Sequence, residues 1–170
     1  GDVVMCQSAV LAGPTMSQLG STAVRQGRVA GIRAAGGDAT FPGTASPYIS
    51  VVAGLHIGGT GISRSLAEYY GVKVAEAVAK GSSRARYYPG GKDMTVKLLA
   101  DKDSGRLIGG QIVGEEDVTG RVNWMTAAIL EGVSVSSFVE RMENAYCPPT
   151  SMVTDTVNAA AEKLARVLRG

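Results

Sequence analysis

Between positions 94 and 114 the chain alternates with a period of two: Met94, Val96, Leu98 and Ala100 are apolar, Thr95, Lys97 and Asp101 are polar, and Leu99 alone breaks the polar face. That is the pattern of a strand buried on one side. Asp101, Asp103, Ser104 and Gly105 form a turn cluster and residues 107–113 return as a second apolar run, so the segment predicts a long β-hairpin. Gly109 and Gly110 would weaken a strand interior. They predict either a bulge or the close approach of another backbone or helix.

Away from the hairpin the period changes several times. Residues 1–18 have no stable period and predict a strand end followed by a loop, with Gly13, Pro14 and Thr15 as a turn. Residues 19–35 turn helical, with Ala23, Val24, Gly27, Ala30 and Ala34 along one side, Arg25, Arg28 and Arg33 outside it, and Gly36 and Gly37 as the stop. Small residues on that side predict a closely pressed partner. Phe41, Pro42, Gly43 and Thr44, with Ser46 and Pro47, form a linker.

Residues 48–55 form a β-rich run that Gly58, Gly59, Thr60 and Gly61 are expected to break, ahead of a short helix capped by Ser63 and ending near Tyr70. Residues 72–78 predict a strand and residues 82–89 a basic connection. After the hairpin, Val118, Val122, Met125 and Ile129 mark a helical stripe ending near Gly132. Residues 134–142 predict a short helix. In the last helix Val153, Val157, Ala160, Ala161, Leu164 and Leu168 face inward, with Asp155 and Arg166 and Arg169 at the ends that suit its dipole. The fold class is α+β, an antiparallel sheet with helices packed on it.

Composition narrows the functions. Seventeen Lys and Arg against fifteen Asp and Glu give a net charge of +2 in 170 residues, with the signs interspersed, so neither nucleic acid nor an acidic membrane surface is indicated. No apolar run reaches the roughly 18 residues of a membrane span, and the expected location is the cytoplasm. Cys6 and Cys147 lie in different contexts, which points to neither a metal site nor a disulfide framework. The chain opens on Gly1 and Asp2, as a fragment would.

Few motifs carry chemistry by themselves. Residues 58–63 resemble a phosphate-cradling glycine loop but lack a Lys-Ser or Lys-Thr pair, and a turn between strand and helix accounts for them better. His56, the only histidine, has no clustered carboxylates in sequence, which favours a structural imidazole over a catalytic base. Cys147, placed before a helix whose positive end lowers a thiol pKa, is either a redox thiol or silent. Tyr87, Tyr88 and Tyr146 sit in proline-held loops. A phenol there either packs or donates a hydrogen bond into a neighbouring pocket.

Taken together, the segments resemble the C-terminal part of the flavin-dependent pyridine nucleotide-disulfide oxidoreductases, in the branch of NADH oxidases and coenzyme A-disulfide reductases. The opening Gly1-Asp2, Pro14, residues 19–23 and Arg25-Gln26-Gly27-Arg28 are similar to the last flavin-binding segment of that family. Phe41-Pro42-Gly43-Thr44, residues 61–71, Tyr87-Tyr88-Pro89-Gly90, the hairpin and Tyr146-Cys147-Pro148-Pro149 resemble successive landmarks of its dimerisation domain. The resemblance implies that residues 1–37 end an FAD-binding domain and residues 38–170 form the dimerisation domain of a homodimer.

It further implies that Asp2 holds the ribityl hydroxyls of FAD and that the amides of Gly20, Ser21 and Thr22 face the flavin pyrimidine edge. Tyr146, with Tyr87 or Tyr88, would reach the partner subunit's active site, near the flavin and a bound disulfide or coenzyme A. NAD(P)H would be the hydride source. Tyr146, Cys147 and Pro148 stand where glutathione reductase-like members place a histidine, which favours the oxidase or coenzyme A branch. The N-terminal FAD- and NAD-binding domains are missing from these residues, so the chain is expected to be inactive alone. An autonomous oligomerisation or ligand-binding module, and the small subunit of a split flavoenzyme, are the competing expectations.

Overall fold

The computed structural model describes all 170 residues, which divide into two compact units between Ser46 and Pro47. In the first, strands β1 (Cys6–Gln7) and β2 (Pro14–Thr15) form a small antiparallel ribbon, followed by helix α1 (Gly20–Ala34). Helix α1 buries Thr22, whose hydroxyl lies 2.9 Å from that of Ser17, while Ala23, Gln26 and Val29 are half-buried. Val24, Gly27, Ala30 and Ala34 are exposed. The inward stripe therefore sits to one side of the small-residue side expected from the sequence.

The second unit is built on one five-stranded antiparallel sheet, ordered β3-β4-β7-β6-β5. Its strands are β3 (Tyr48–Val52), β4 (Leu55–Gly61), β5 (Val74–Ser82), β6 (Asp93–Asp101) and β7 (Leu107–Gly114). β6 and β7 are the expected hairpin and occupy the middle of the sheet. β5 begins and ends later than the sequence pattern suggests, because Ala75, Ala77 and Ala79 continue the inward alternation to Gly81. Helices α3 (Val118–Leu130) and α5 (Thr156–Arg169) share one face of the sheet, α3 over β4 and β7, α5 over β5 and β6. The short helix α4 (Val135–Arg141) packs on α5, and Phe138 meets Trp124 at 5.2 Å between ring centres. Alanines on β5 let Ala160, Ala161 and Leu164 of α5 come close, and all three are fully buried.

Residues 58–61 do not break the strand; they are the second half of β4. Val52 and Leu55 are joined by a tight turn in which Ala53 and Gly54 both take positive φ, the requirement of a two-residue hairpin turn. The glycines of β4 are there for space. A Cβ on Gly58 would lie 2.7 Å from Val122 of α3, and one on Gly59 2.9 Å from the ring of Tyr48.

The two hairpin glycines answer to the same cause from opposite faces. A Cβ on Gly110 would strike Met125 of α3 at 2.6 Å, and one on Gly109 would overlap the carbonyl oxygen of Ile62. A helix approaches one and a backbone the other; a register shift between Leu99 and Ala100 adds a bulge beside them. Leu99 breaks the polar face because the segment through Ile62 crosses there. Both residues are buried, and Gly109 is the register partner of Leu99. That segment continues into α2 (Arg64–Tyr69), capped by Ser63, which accepts from the Leu66 amide at 3.2 Å. Arg64 then reaches Glu76 at 3.0 Å and Lys97 reaches it at 2.8 Å.

At the far end, Val153 is exposed and lies outside α5, which Asp155 caps by accepting from the Val157 amide at 2.9 Å. No helix is long and apolar enough to cross a membrane.

Candidate functional site

The tyrosine loops form the site in the second unit. Residues 83–92 link β5 to β6, and their base is closed by hydrogen bonds between Ser83 and Lys92: the Ser83 amide donates to the Lys92 carbonyl at 2.8 Å, and the Lys92 amide to Ser83 Oγ at 2.9 Å. Arg84 is anchored by both oxygens of Glu116, to which Ser83 Oγ also donates. The second loop, residues 143–155, carries Tyr146 between α4 and α5. One backbone bond joins the two loops: the Ala85 amide donates to the Pro148 carbonyl at 3.2 Å.

That bond sets the phenols together. The hydroxyls of Tyr87 and Tyr146, 59 positions apart in sequence, share a hydrogen bond of 2.6 Å. Both side chains remain exposed, Tyr87 at 75% and Tyr146 at 43%. The bond to Tyr87 is the main cause holding the Tyr146 phenol above its ordinary pKa, as a proton given to a neighbouring oxygen is harder to remove. Tyr146 is therefore a neutral hydroxyl at neutral pH, as a free phenol is, and either hydroxyl of the pair can donate. Tyr88 does not join the pair. It lines a polar cavity of about 440 Å³ with Ser82, Arg86 and Asp93.

The other expected site residues lie in the first unit. Asp2 is exposed in the turn closed by the Val4 amide and the Gly1 carbonyl, 3.0 Å apart. Gly20 and Ser21 are exposed at the start of α1. The N-cap residue is Leu19, which has no side-chain oxygen to offer, so the first amides of α1 have no helical or capping acceptor. Thr22 contributes only its backbone there, since its buried hydroxyl is engaged by Ser17.

One sequence expectation changes. Cys147 is not at the positive end of α5, which starts at Thr156; it opens a turn in which its carbonyl accepts from the amides of Thr150 and Ser151. His56 lies within β4, opposite Val51 and Gly114. Sequence reasoning missed Arg84, Glu116 and Asn144, which hold the loops. The polar residues flanking the proline pair, Asn144 and Ser151, were the available signal.

The chain is similar in sequence and fold to known proteins. The chain is 40% identical over 95% of its length to an NADH oxidase of Methanocaldococcus jannaschii. It is 31% identical over 99% of its length to an NAD(P)H coenzyme A polysulfide/persulfide reductase of Pyrococcus horikoshii. It spans 36% and 37% of those relatives. Among solved structures, a NAD-dependent persulfide reductase from A. fulgidus superposes with a TM-score of 0.92 at 31% identity, over 98% of this chain and 31% of that one. Reduced CoADR-RHD of Bacillus anthracis superposes with a TM-score of 0.91 at 28% identity, over all of this chain and 30% of that one. A family model described as the pyridine nucleotide-disulphide oxidoreductase dimerisation domain matches residues 48–156. The expected α+β fold and family are borne out, and the chain belongs to the pyridine nucleotide-disulphide oxidoreductases, of which it carries the dimerisation domain.

Proposed function

We propose that this chain is the dimerisation portion, residues 38–170, with the closing segment of an FAD-binding domain, residues 1–37, of a cytoplasmic homodimeric flavoenzyme. The complete enzyme takes hydride from NAD(P)H and delivers it through FAD to a disulfide, such as one carrying coenzyme A, or to oxygen. The observation that supports this reading is the Tyr87–Tyr146 pair, two exposed hydroxyls in contact on a dimerisation domain. The free Cys6 and Cys147 suit a reducing compartment.

The residues present fit the flavin. Uncapped amides at Gly20, Ser21 and Thr22 favour an electron-rich group at the start of α1, and exposed Asp2 offers a carboxylate to hydroxyls. FAD, when bound, supplies the two-electron relay between nicotinamide and acceptor. Tyr146 contributes a hydrogen bond to the acceptor in the partner subunit, where negative charge develops on sulfur or oxygen as it is reduced. Tyr87 holds that phenol in place, and the single Tyr146 proton turns from Tyr87 to the acceptor when the acceptor is bound. The remaining contacts to FAD belong to residues outside this chain, so the 170 residues alone retain no flavin.

In the enzyme of relative-like length, Tyr146→Phe lowers turnover by on the order of 100-fold, the usual loss when one aimed donor is removed, while flavin absorbance and dimer mass stay unchanged. Unaltered turnover in that variant would leave this domain as a scaffold only.

A further inference from the structure

Tyr146 lies in a loop that packing does not hold. Between α3 and the loop is an open cavity of about 460 Å³, lined by Arg121, Trp124, Asn144, Ala145, Thr150 and Ser151 among others. The loop is held instead by hydrogen bonds, and one side chain takes part in four of them. Asn144 Nδ2 donates to the carbonyls of Ala145 at 3.2 Å and Met152 at 3.0 Å, drawing the two ends of the loop together. Its Oδ1 accepts from the Asp155 amide at 3.2 Å and from Asn158 Nδ2 at 3.3 Å. One amide therefore uses all four of its bonding sites, two on the loop and two on α5.

The far end of this connection is rigid. Asp155 caps α5 and forms a buried pair with Arg121 of α3, at 2.9 Å to Nε and 2.7 Å to Nη2. Arg121 also donates to the Asp117 carbonyl at 2.8 Å. Ser151 adds a short brace inside the loop, donating to the Ala145 carbonyl at 2.8 Å and accepting from the Cys147 amide at 3.1 Å. The Ala145 carbonyl, one residue before Tyr146, is thus gripped from two sides.

We infer that Asn144 is the positioning residue for the Tyr146 phenol: its amide fastens the loop to the capped start of α5 and so fixes the hydroxyl against Tyr87. The residue touches no substrate and works only through Tyr146. A swap to aspartate isolates the effect. Asn144→Asp keeps an oxygen for the Asp155 amide and Asn158 but loses both donors to the loop, and sets an anion against the carbonyls of Ala145 and Met152.

The inference rests on the reading of Tyr146 as the working phenol, and its test separates the two. The Tyr146 ring is followed by carbon-13 NMR through an alkaline titration of this chain, with Tyr146→Phe assigning the signal. In the unaltered chain Tyr146 titrates above a free phenol, and Tyr87→Phe moves the midpoint down. Asn144→Ala and Asn144→Asp move it down in the same way, and Asn144→Asp combined with Tyr87→Phe moves it no further than Tyr87→Phe alone. Circular dichroism of each variant reports the fold, and Asn144→Asp decides the matter where Asn144→Ala fails to fold. Variants that melt earlier but keep the parental Tyr146 midpoint would overturn the positioning role. No downward shift in Tyr87→Phe would mean that the tyrosine pair does not form, removing the positioning role together with the site.

Discussion

Arg84 and Glu116 form a two-pronged ion pair, Nη2 lying 2.8 Å from one carboxylate oxygen and 2.9 Å from the other, which ties the tyrosine loop to the turn before α3. The hydrogen bond from Ser83, then Arg84, hold the Glu116 carboxyl below its usual pKa. A depressed carboxylate contributes its stability above the unfolded value, near 4.5, and loses it as pH falls through the folded value. Glu116→Gln should cost about 1 kcal/mol at neutral pH, and less as the solution is acidified. Urea unfolding at neutral and acid pH checks this; equal losses at both would refute the assignment.

Substituting alanine at two glycines should give opposite signs. Gly109→Ala places a methyl against the Ile62 carbonyl, a backbone atom that cannot swing aside, and should destabilise by roughly 2–3 kcal/mol. Gly120→Ala, on the exposed side of α3 where an added Cβ meets nothing within 4 Å, should stabilise by about 0.5–1 kcal/mol. Denaturation midpoints of the two variants decide it, and a stable Gly109→Ala chain would mean that the Ile62 crossing is looser than described.

The Arg121–Asp155 pair is buried, with side-chain exposures of 9% and 7%. Asp155→Ala removes the cap of α5 and strands the guanidinium, so a loss of about 3–5 kcal/mol is expected. Arg121→Leu combined with Asp155→Asn keeps a capping oxygen and strands no charge, and should recover most of that stability. A double variant as unstable as Asp155→Ala would assign the loss to shape rather than charge.

Alternation made the central hairpin legible, and the 3.6-residue stripe through Val118, Val122, Met125 and Ile129 did the same for α3, because each buries one continuous face. Residues 58–61 were misread because glycine speaks of turns when seen alone, and its reason here, Val122, Val118 and the Tyr48 ring, comes from distant parts of the chain. In α1 the small residues line a side that this unit leaves exposed, apart from half-buried Ala23, so the partner they predict is not within this unit. The tyrosines were visible as a set, but which two meet depends on one backbone bond between Ala85 and Pro148. Periodicity carries no record of such a bond. Asn144 escaped notice because its partners are mostly carbonyls and amides, which every residue has.

The glycines at the crossing of Ile62 also act as an alignment key for the sheet. Slipping β7 by one position along β4 would turn its apolar side chains to the wrong face, an error that burial alone rejects. Slipping by two restores the faces, and hydrophobicity raises no objection. Such a shift would bring Leu107 or Gln111 in place of Gly109 opposite Gly61, where a side chain has no room under the Ile62 carbonyl. Odd misalignments are thus excluded by polarity and even ones by bulk, so a sheet that carries a tyrosine loop on one hairpin closes in a single register.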